Sequence, residues 1–476
     1  MPIESVTSPL KPWQWRSQAL NNRSGSEIFA ALFINEEIAT LLESPGITAD
    51  SEQPQLSRYS ICAGAPRRLA GKPQLWTPRT GEILPCLRSR LATNSSECDR
   101  AEVAHLPFTG GWLGWLGYDL AWEIEKLPEL NPDTLPFPVA YWYEPECFAV
   151  LDRVAETLWL AATEEFQLEV MSAKLADFQE DIQQNNSQTA DITFLTSQAE
   201  YQNSVRRAKE HIQAGDIFQT NLSLRFKAET TRDSWSIYQQ LQAINPSPFA
   251  SYWRSPWGDL ISCSPERLVQ LEGNIAQTRP IAGTRPRGKD PQSDRVLAAE
   301  LLGDTKERAE HIMLVDLERN DLGRVCEWGS VEVDELLVIE RYSHVMHLVS
   351  NVKGILQRDC DAIDLIRGTF PGGTITGCPK VRCMELIETL EPVRRSLFYG
   401  SCGYLDRRGN LDLNILIRTL LYVKSSEDKA EVYGQVGAGI VADSDPEREW
   451  YESLSKAEAQ IAALKFSEIG SGRERE

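Results

Sequence analysis

The chain has 476 residues with 49 basic and 69 acidic side chains, which give a formal net charge of −20. This acidic balance argues against a nucleic-acid-binding protein, which normally carries a basic surface. No run of about 18 apolar residues is present and residues 1–15 contain no apolar signal region, so we expect neither a membrane span nor secretion. The 10 cysteines are scattered, which is typical of a reducing compartment, here the cytoplasm.

The first 190 residues predict mostly short strands. A helix and an apolar segment are predicted at residues 27–42, helical spacing occurs at 165–181, and the polar segment 181–191 resembles a linker. Four glycines lie among aromatic residues at 108–118, which suggests backbone packed tightly against backbone. The division at about residue 190 is either a domain boundary or a change of layer within one compact unit. Strands are predicted at 58–63, 140–143, 148–152 and 157–162.

The part of the chain after residue 190 gives clearer periodic patterns. Helices are predicted at 197–214 and 446–464, with a long helical region at 294–321 and another helix after the loop at 370–379. The strands are expected to lie between these helices, which indicates mixed α and β structure. They are predicted at 217–228, 260–264, 267–271, 331–349, 397–404, 414–421 and 432–440.

Two acidic pairs have the same spacing, Glu307 with Glu310 and Glu449 with Glu452. Residues three apart project from one face of a helix, so each pair would present two carboxylates together. Four carboxylates from two helices would suit Mg²⁺, which prefers oxygen ligands. The alternative is that each pair is an ordinary solvated helix face.

Several stretches could bind an anion. The glycine-rich loop at 370–385 carries Lys380 and Arg382 at a helix start, and residues 279–287 form a basic, proline-restrained loop. Arg418 lies in a predicted apolar strand, where its guanidinium needs a carboxylate or phosphate partner. The alternatives are a plain connecting loop for 370–385 and a structural ion pair for Arg418.

Two further features are open to more than one interpretation. Gly437 and Gly439 in one strand indicate either a bulge, the close approach of a ligand, or a tight strand–helix contact. His344 and His347 have an odd spacing in a strand, so at most one of them faces a given site. A single strand histidine is either a hydrogen-bonded core residue or a catalytic group.

Six segments together resemble the chorismate-utilising enzymes, and within that family component I of anthranilate synthase and of its sister, aminodeoxychorismate synthase. They follow the family's order and extend over nearly the whole chain. The segments are residues 108–128, 279–288, 306–324, 341–350, 370–385 and 437–452.

The resemblance implies an α/β (α+β) fold in which two large sheets pack against each other with helices around them. Residues 1–190 would form the N-terminal, regulatory-site-like region of the same compact unit. Residues 191–470 would form the chorismate-binding catalytic region.

The resemblance also implies roles for individual residues. Glu310 and Glu452 would hold Mg²⁺ on the ring carboxylate of chorismate, with Glu307 and Glu449 beside them or acting through water. His347 would transfer protons, and Thr284 and Ala282 would complete the catalytic group. The residues expected to bind the substrate are Gly283, Thr284, Tyr404, Arg418, Gly437, Ala438, Gly439 and Lys456.

Position 282 bears on which product is made. In the family, aminodeoxychorismate synthases commonly have a lysine here whose amine attacks C2, so that ammonia adds at C4. The alanine of this chain cannot attack, which favours direct addition of ammonia at C2 and formation of anthranilate for tryptophan biosynthesis. The loop at 370–377 is closer to the aminodeoxychorismate branch, which serves folate biosynthesis, and the missing lysine does not strictly exclude that reaction.

Two motifs resemble the tryptophan-binding site of anthranilate synthases, although residues 249–252 depart from the inhibitor-site pattern. No glutaminase half is present, so ammonia would come from solution or from a separate glutamine amidotransferase subunit. A remote alternative is a non-catalytic relative that only binds an amino acid or a partner. The residues of the possible tryptophan site are Leu42, Glu43, Ser44, Asn245, Pro246 and Ser247.

Overall fold

The computed structural model describes residues 11–44, 57–94, 101–179, 191–342, 345–426 and 428–465. Within these ranges the helices are α1 (Gly25–Leu32), α2 (Ile83–Asn94), α3 (Ala121–Ile124), α4 (Glu165–Asp177), α5 (Gln198–Gln213), α6 (Ser234–Ile244), α7 (Pro291–Gly303), α8 (Thr305–Gly323), α9 (Ala362–Thr369), α10 (Lys380–Leu390) and α11 (Pro446–Leu464). None of them combines the length and the apolar character that a membrane crossing requires.

The strands are, in chain order, β1 (Gln14–Ala19), β2 (Ala39–Glu43), β3 (Tyr59–Ala63), β4 (Arg68–Leu69), β5 (Lys72–Pro73), β6 (Leu75–Trp76), β7 (Gly111–Leu116), β8 (Ala140–Tyr143), β9 (Cys147–Asp152), β10 (Thr157–Ala162), β11 (Ile192–Phe194), β12 (Gln219–Thr230), β13 (Phe249–Ser255), β14 (Gly258–Ser264), β15 (Arg267–Glu272), β16 (Ile275–Arg279), β17 (Ile281–Pro286), β18 (Glu332–Arg341), β19 (Val345–Ile355), β20 (Gly377–Cys378), β21 (Ser401–Asp406), β22 (Leu411–Asn414), β23 (Thr419–Lys424) and β24 (Ala430–Ile440).

Two large antiparallel sheets contain nearly all of these strands. In the part of the chain that is described, the first has twelve strands in the order β1-β10-β9-β3-β2-β13-β14-β23-β24-β12-β11, with β20 on β12. The second has ten strands in the order β17-β19-β16-β15-β22-β21-β7-β8-β6, with β18 on β19. Strands from both sides of residue 190 share each sheet, because β2 pairs with β13 and β7 pairs with β21.

The sheets pack face to face, as the resemblance implied. Alternate residues of a strand point to opposite faces, so Ile61 and Phe148 join Trp112 and Leu405 in the core between the sheets. Cys62, between Ile61 and Ala63, instead lies in a second core under α1, α4, α5, α6, α10 and α11. This arrangement confirms two packed sheets with helices outside.

Glycines allow the strands at the centre of the second sheet to approach each other. A Cβ on Gly114 would lie 2.2 Å from the Tyr141 carbonyl oxygen, and one on Gly403 would lie 2.0 Å from the Asp412 carbonyl oxygen. The tight backbone packing predicted for residues 108–118 is therefore confirmed.

Some predicted elements differ from the observed ones. In the segment 27–42 the predicted helix is the short α1, which ends at Leu32, and the predicted apolar segment contains β2, which begins at Ala39. The region 294–321 divides at Asp304, whose side chain accepts hydrogen bonds from the Lys306 and Glu307 amides and so begins a new helix. The final helix, residues 446–464, is as predicted. The linker residues 181–190 lie outside the described residues.

Candidate active site

A cavity of about 570 Å³ lies where the edge of the second sheet meets α8, α11 and the strands near one end of the first sheet. Its volume is within the range of about 300–1,000 Å³ that is usual for small-molecule sites. β17 and β19 form one wall, β12 and β24 form another, and the first turns of α8 and α11 lie at the mouth. Residues distant in sequence therefore converge on one space.

Both acidic pairs line this cavity. Glu307 and Glu310 project from the N-terminal half of α8, and Glu449 and Glu452 from that of α11. The positive end of each helix dipole favours negative charge there. Glu449 is buried whereas half of the Glu452 side chain is exposed, so the four carboxylates extend from the interior to the mouth.

The chemistry of these carboxylates fits a hard divalent cation. Burial, and after it the charge of Glu307, raise the pKa of Glu310, and one oxygen of Glu449 is buried without a hydrogen-bond partner. Crowded acids with an unsatisfied oxygen are suited to Mg²⁺. Within the described ranges no three His, Cys, Asp or Glu side chains already converge to coordination distance, so the four carboxylates surround the cavity without closing on one point.

Arg418 faces the cavity without a carboxylate partner among the residues that the structure describes. Burial lowers the pKa of its guanidinium, and the neighbouring Tyr399 partly offsets this effect. The predicted strand 414–421 is interrupted at residues 415–418, because Arg418 has a φ of 52° and lies between β22 and β23. The structural ion pair considered from the sequence is absent from the described residues, which leaves the guanidinium available for an anionic ligand.

Two residues expected to bind the substrate lie elsewhere. Tyr404 lines a second cavity instead, and Tyr399 occupies the position near Arg418 that was expected for Tyr404. The Tyr399 amide donates to the Leu416 carbonyl at 2.9 Å, which ties the two segments together. The side chain of Ala438 points into the helix-covered core, because only its neighbours in the alternating strand face the cavity.

Gly437 and Gly439 lie in a regular strand pair, so the predicted bulge is absent. A Cβ on Gly439 would lie 2.6 Å from Gln219 Nε2 and 3.4 Å from Glu310 Oε1. One on Gly437 would lie 3.0 Å from Asn221 Oδ1. Both glycines therefore make room for side chains that line the cavity.

The β17–β19 pair brings together Ala282, Gly283, Thr284 and His347, all of which line the cavity. Thr284 Oγ1 and His347 Nδ1 are 3.0 Å apart and hydrogen bonded. Burial lowers the pKa of His347 to about 4; a Gly283 backbone hydrogen bond opposes this shift and the Arg418 charge adds to it. The imidazole is therefore neutral near pH 7 and can accept a proton. His344 lies outside the described residues.

Lys456 lines the cavity but is already engaged. Its Nζ is 2.8 Å from Glu452 Oε1, one helical turn away, and donates to the Gly437 carbonyl at 3.1 Å. Lys456 therefore holds the Glu452 carboxylate in place at the cavity.

Glu266 is a cavity residue that no sequence motif indicated. It lies between β14 and β15, is buried, and lines the cavity beside Thr374 and Ile281. Burial raises its pKa to about 8, so the carboxyl carries a proton at neutral pH. A single glutamate after a strand gives no periodic pattern, and only the fold reveals that its side chain is buried at the site.

Residues 45–462 match the sequence profile of the family described as chorismate binding enzyme. The chain belongs to this family. It is therefore an enzyme that uses chorismate, and the cavity with Arg418 and the four glutamates is its candidate active site.

Relatives carry the names of both sister enzymes. An anthranilate synthase component I-like protein of Synechocystis sp. is 61% identical over 458 residues, 96% of this chain and 92% of that protein. Aminodeoxychorismate synthase component 1 of Bacillus subtilis is 44% identical, covering 76% of this chain and 78% of that protein. The crystal structure of anthranilate synthase component I from Streptococcus pneumoniae aligns with a TM-score of 0.71 at 28% identity, covering 97% of this chain and 94% of that one.

The basic residues of the two predicted anion-binding loops form ion pairs with carboxylates of this chain. Lys380 Nζ is 2.6 Å from Asp321 Oδ2, and Arg382 pairs with Glu385 at 2.7 Å. Arg279, Arg285 and Arg287 also form ion pairs with neighbouring carboxylates. The loop at 370–385 contributes only Thr374 and Ile375 to the cavity wall, so its side-chain charges serve the structure.

The second cavity, of about 120 Å³, is lined by Leu42, Glu43 and Ser44 together with Phe249 and Tyr404. It is smaller than typical small-molecule sites. Glu43 already accepts hydrogen bonds from Ser26 and Tyr238. Half of the predicted tryptophan motif does not line it, because these residues form the turn before β13; they are Asn245, Pro246 and Ser247.

Proposed function

We propose that this enzyme is component I of an anthranilate synthase. It would convert chorismate and ammonia into anthranilate, pyruvate and water: a C–N bond forms at C2, the C4 hydroxyl leaves, and the enolpyruvyl group is then lost. The observation that carries the proposal is the cavity wall at Ala282, which has no nucleophilic side chain where the sister branch commonly has lysine.

The substrate is a dicarboxylate, and the cavity offers two separated places for its charges. Arg418, which has no partner in the described part of the chain, would bind the enolpyruvyl carboxylate, with Tyr399 beside it. Mg²⁺, held by the four glutamates, would supply electrophilic stabilisation of the ring carboxylate. The carboxylates concerned are Glu307, Glu310, Glu449 and Glu452.

Two groups in the wall suit the proton transfers. Glu266 is protonated at neutral pH and would give its proton to the departing C4 hydroxyl. His347, neutral and hydrogen bonded to Thr284, would accept the C2 proton as the ring becomes aromatic. The two roles are compatible because near pH 7 the Glu266 carboxyl carries a proton that it can donate and the His347 imidazole is unprotonated.

Ammonia would reach the cavity from solution or from a separate glutamine amidotransferase subunit. The second candidate function is aminodeoxychorismate synthesis, which the loop at 370–377 and the relative from Bacillus subtilis favour. Inhibition by tryptophan would require the second cavity to enlarge, with Leu42, Glu43 and Ser44 as the contacts that remain from the proposed motif.

The test is to incubate the purified chain with chorismate, Mg²⁺ and excess ammonia, and to follow anthranilate fluorescence and pyruvate release. Equal amounts of both products would support the proposal. An amino product that retains the enolpyruvyl group, with no pyruvate, would instead support the second candidate. Inhibition by added tryptophan that is lost on substitution of Ser44, which lines the second cavity, would support binding there.

A further inference from the structure

Each of the two helices at the cavity mouth carries a lysine four residues from a glutamate of the proposed metal site. On α11, Lys456 and Glu452 form an ion pair at 2.8 Å. On α8, Lys306 and Glu310 have the same spacing, but they are not within the 4 Å of an ion pair. In the described part of the chain, the Lys306 ammonium has neither an ion pair nor a hydrogen bond, and its side chain is exposed while lining the cavity.

Lys306 does not stabilise the helix in which it lies. It lies in the first turn of α8, where the positive end of the helix dipole disfavours a cation. A lysine that precedes a glutamate by four residues is also the less favourable orientation of such a pair. A residue that breaks two local rules without a compensating contact suggests a functional reason.

The charges around Lys306 indicate what this reason is. Four glutamates line the cavity from its interior to its mouth, and the whole chain has a net charge of −20. A dianionic substrate approaching this mouth is repelled, whereas a divalent cation is attracted. Lys306 lines the same cavity as the four glutamates, so its charge acts on the carboxylates of both α8 and α11.

We propose that Lys306 is the approach cation of the active site: its unpaired ammonium draws the chorismate dianion past the glutamates and weakens Mg²⁺ binding until the substrate is present. This inference rests on the proposed binding of Mg²⁺ by the four glutamates. It assigns Lys306 a positioning role, distinct from that of Arg418, which lies inside the cavity and binds one carboxylate directly.

The distinguishing consequence is that removal of the charge shifts the two affinities in opposite directions. In Lys306→Gln, chorismate should bind about fivefold more weakly. The substrate carboxylates lose the attraction of one nearby positive charge, which the solvent only partly screens. Mg²⁺ measured without chorismate should bind about threefold more tightly, because a repulsive charge has gone. Damage to the local structure would instead weaken both.

The experiment is isothermal titration calorimetry of the full chain, with chorismate and with Mg²⁺ separately and without ammonia, at two ionic strengths. Lys72→Gln is the matched control, because Lys72 is exposed, carries the same charge and lines neither cavity. Lys306→Arg retains the charge and should restore wild-type values. The difference between Lys306→Gln and the wild type should shrink as added salt screens the charges.

Chorismate binding within twofold of the control, or a loss of Mg²⁺ affinity in Lys306→Gln, would overturn the inference. Neither readout depends on which product is made. If the wild type binds both ligands with the expected shifts in Lys306→Gln but forms no anthranilate, the proposed function fails while the role of Lys306 stands.

Discussion

Replacement of Glu266 by glutamine should stabilise the fold while it removes most of the activity. Burial raises the pKa of Glu266 from 4.5 to about 8, so the folded chain keeps a proton that the unfolded chain releases. The free energy of unfolding therefore falls as the pH rises from about 4.5 to about 8, and it levels off above that range. Glutamine has the same shape and no such ionisation.

The expected magnitude follows from the width of this pH window. One pH unit corresponds to about 1.36 kcal/mol, and pH 7 lies about 2.5 units above 4.5, so the variant should gain on the order of 3 kcal/mol at pH 7. The gain should vanish near pH 4.5. Urea denaturation of both proteins at pH 5 and pH 7 measures it.

Activity should change in the opposite sense. Loss of a positioned general acid typically lowers kcat by about 10²–10⁴-fold, and wild-type kcat should decline as the pH rises through about 8. Glu318→Gln is the matched control, because burial also raises the pKa of Glu318 but its side chain does not line the cavity. A Glu266→Gln variant that is active, or no more stable than the wild type at pH 7, would refute this reasoning.

Three other substitutions test separate parts of the site. Glu452→Gln should abolish Mg²⁺-dependent turnover while circular dichroism stays unchanged; undiminished turnover would contradict the metal assignment. Arg418→Gln should raise the KM for chorismate about 100-fold, since a charged hydrogen bond of about 3 kcal/mol is lost, and a KM within threefold of wild type would exclude its role. Ala282→Lys should divert product toward the C4-amino compound, detected by mass; unchanged anthranilate would mean that position 282 does not control regiochemistry.

The parts of the site that lie on helices were predictable from the sequence. The spacing of Glu307 with Glu310 and of Glu449 with Glu452 places each pair on one face, and the structure brings all four to one cavity. The spacing alone does not predict that α8 and α11 line the same cavity, because their relative position depends on how the two sheets pack.

The cavity residues that lie on irregular backbone were less predictable. The apolar neighbours of Arg418 resemble a strand, yet Arg418 and Tyr399 both have positive φ values, 52° and 64°. Tyr404 was expected to bind the substrate. The register of β21 with β7 and β22 instead directs its side chain toward the second cavity. Side-chain direction at such positions depends on tertiary pairing, which no local pattern encodes.

The most direct test of the account is the position at which nitrogen enters the ring. Purified chain, chorismate, Mg²⁺ and ¹⁵N-labelled ammonium would be incubated without any partner subunit, and the product analysed by NMR. We predict the label on the carbon next to the one that bears the carboxylate, with one pyruvate released per label incorporated. Label on the carbon opposite the carboxylate, with the enolpyruvyl group retained, would contradict the central claim.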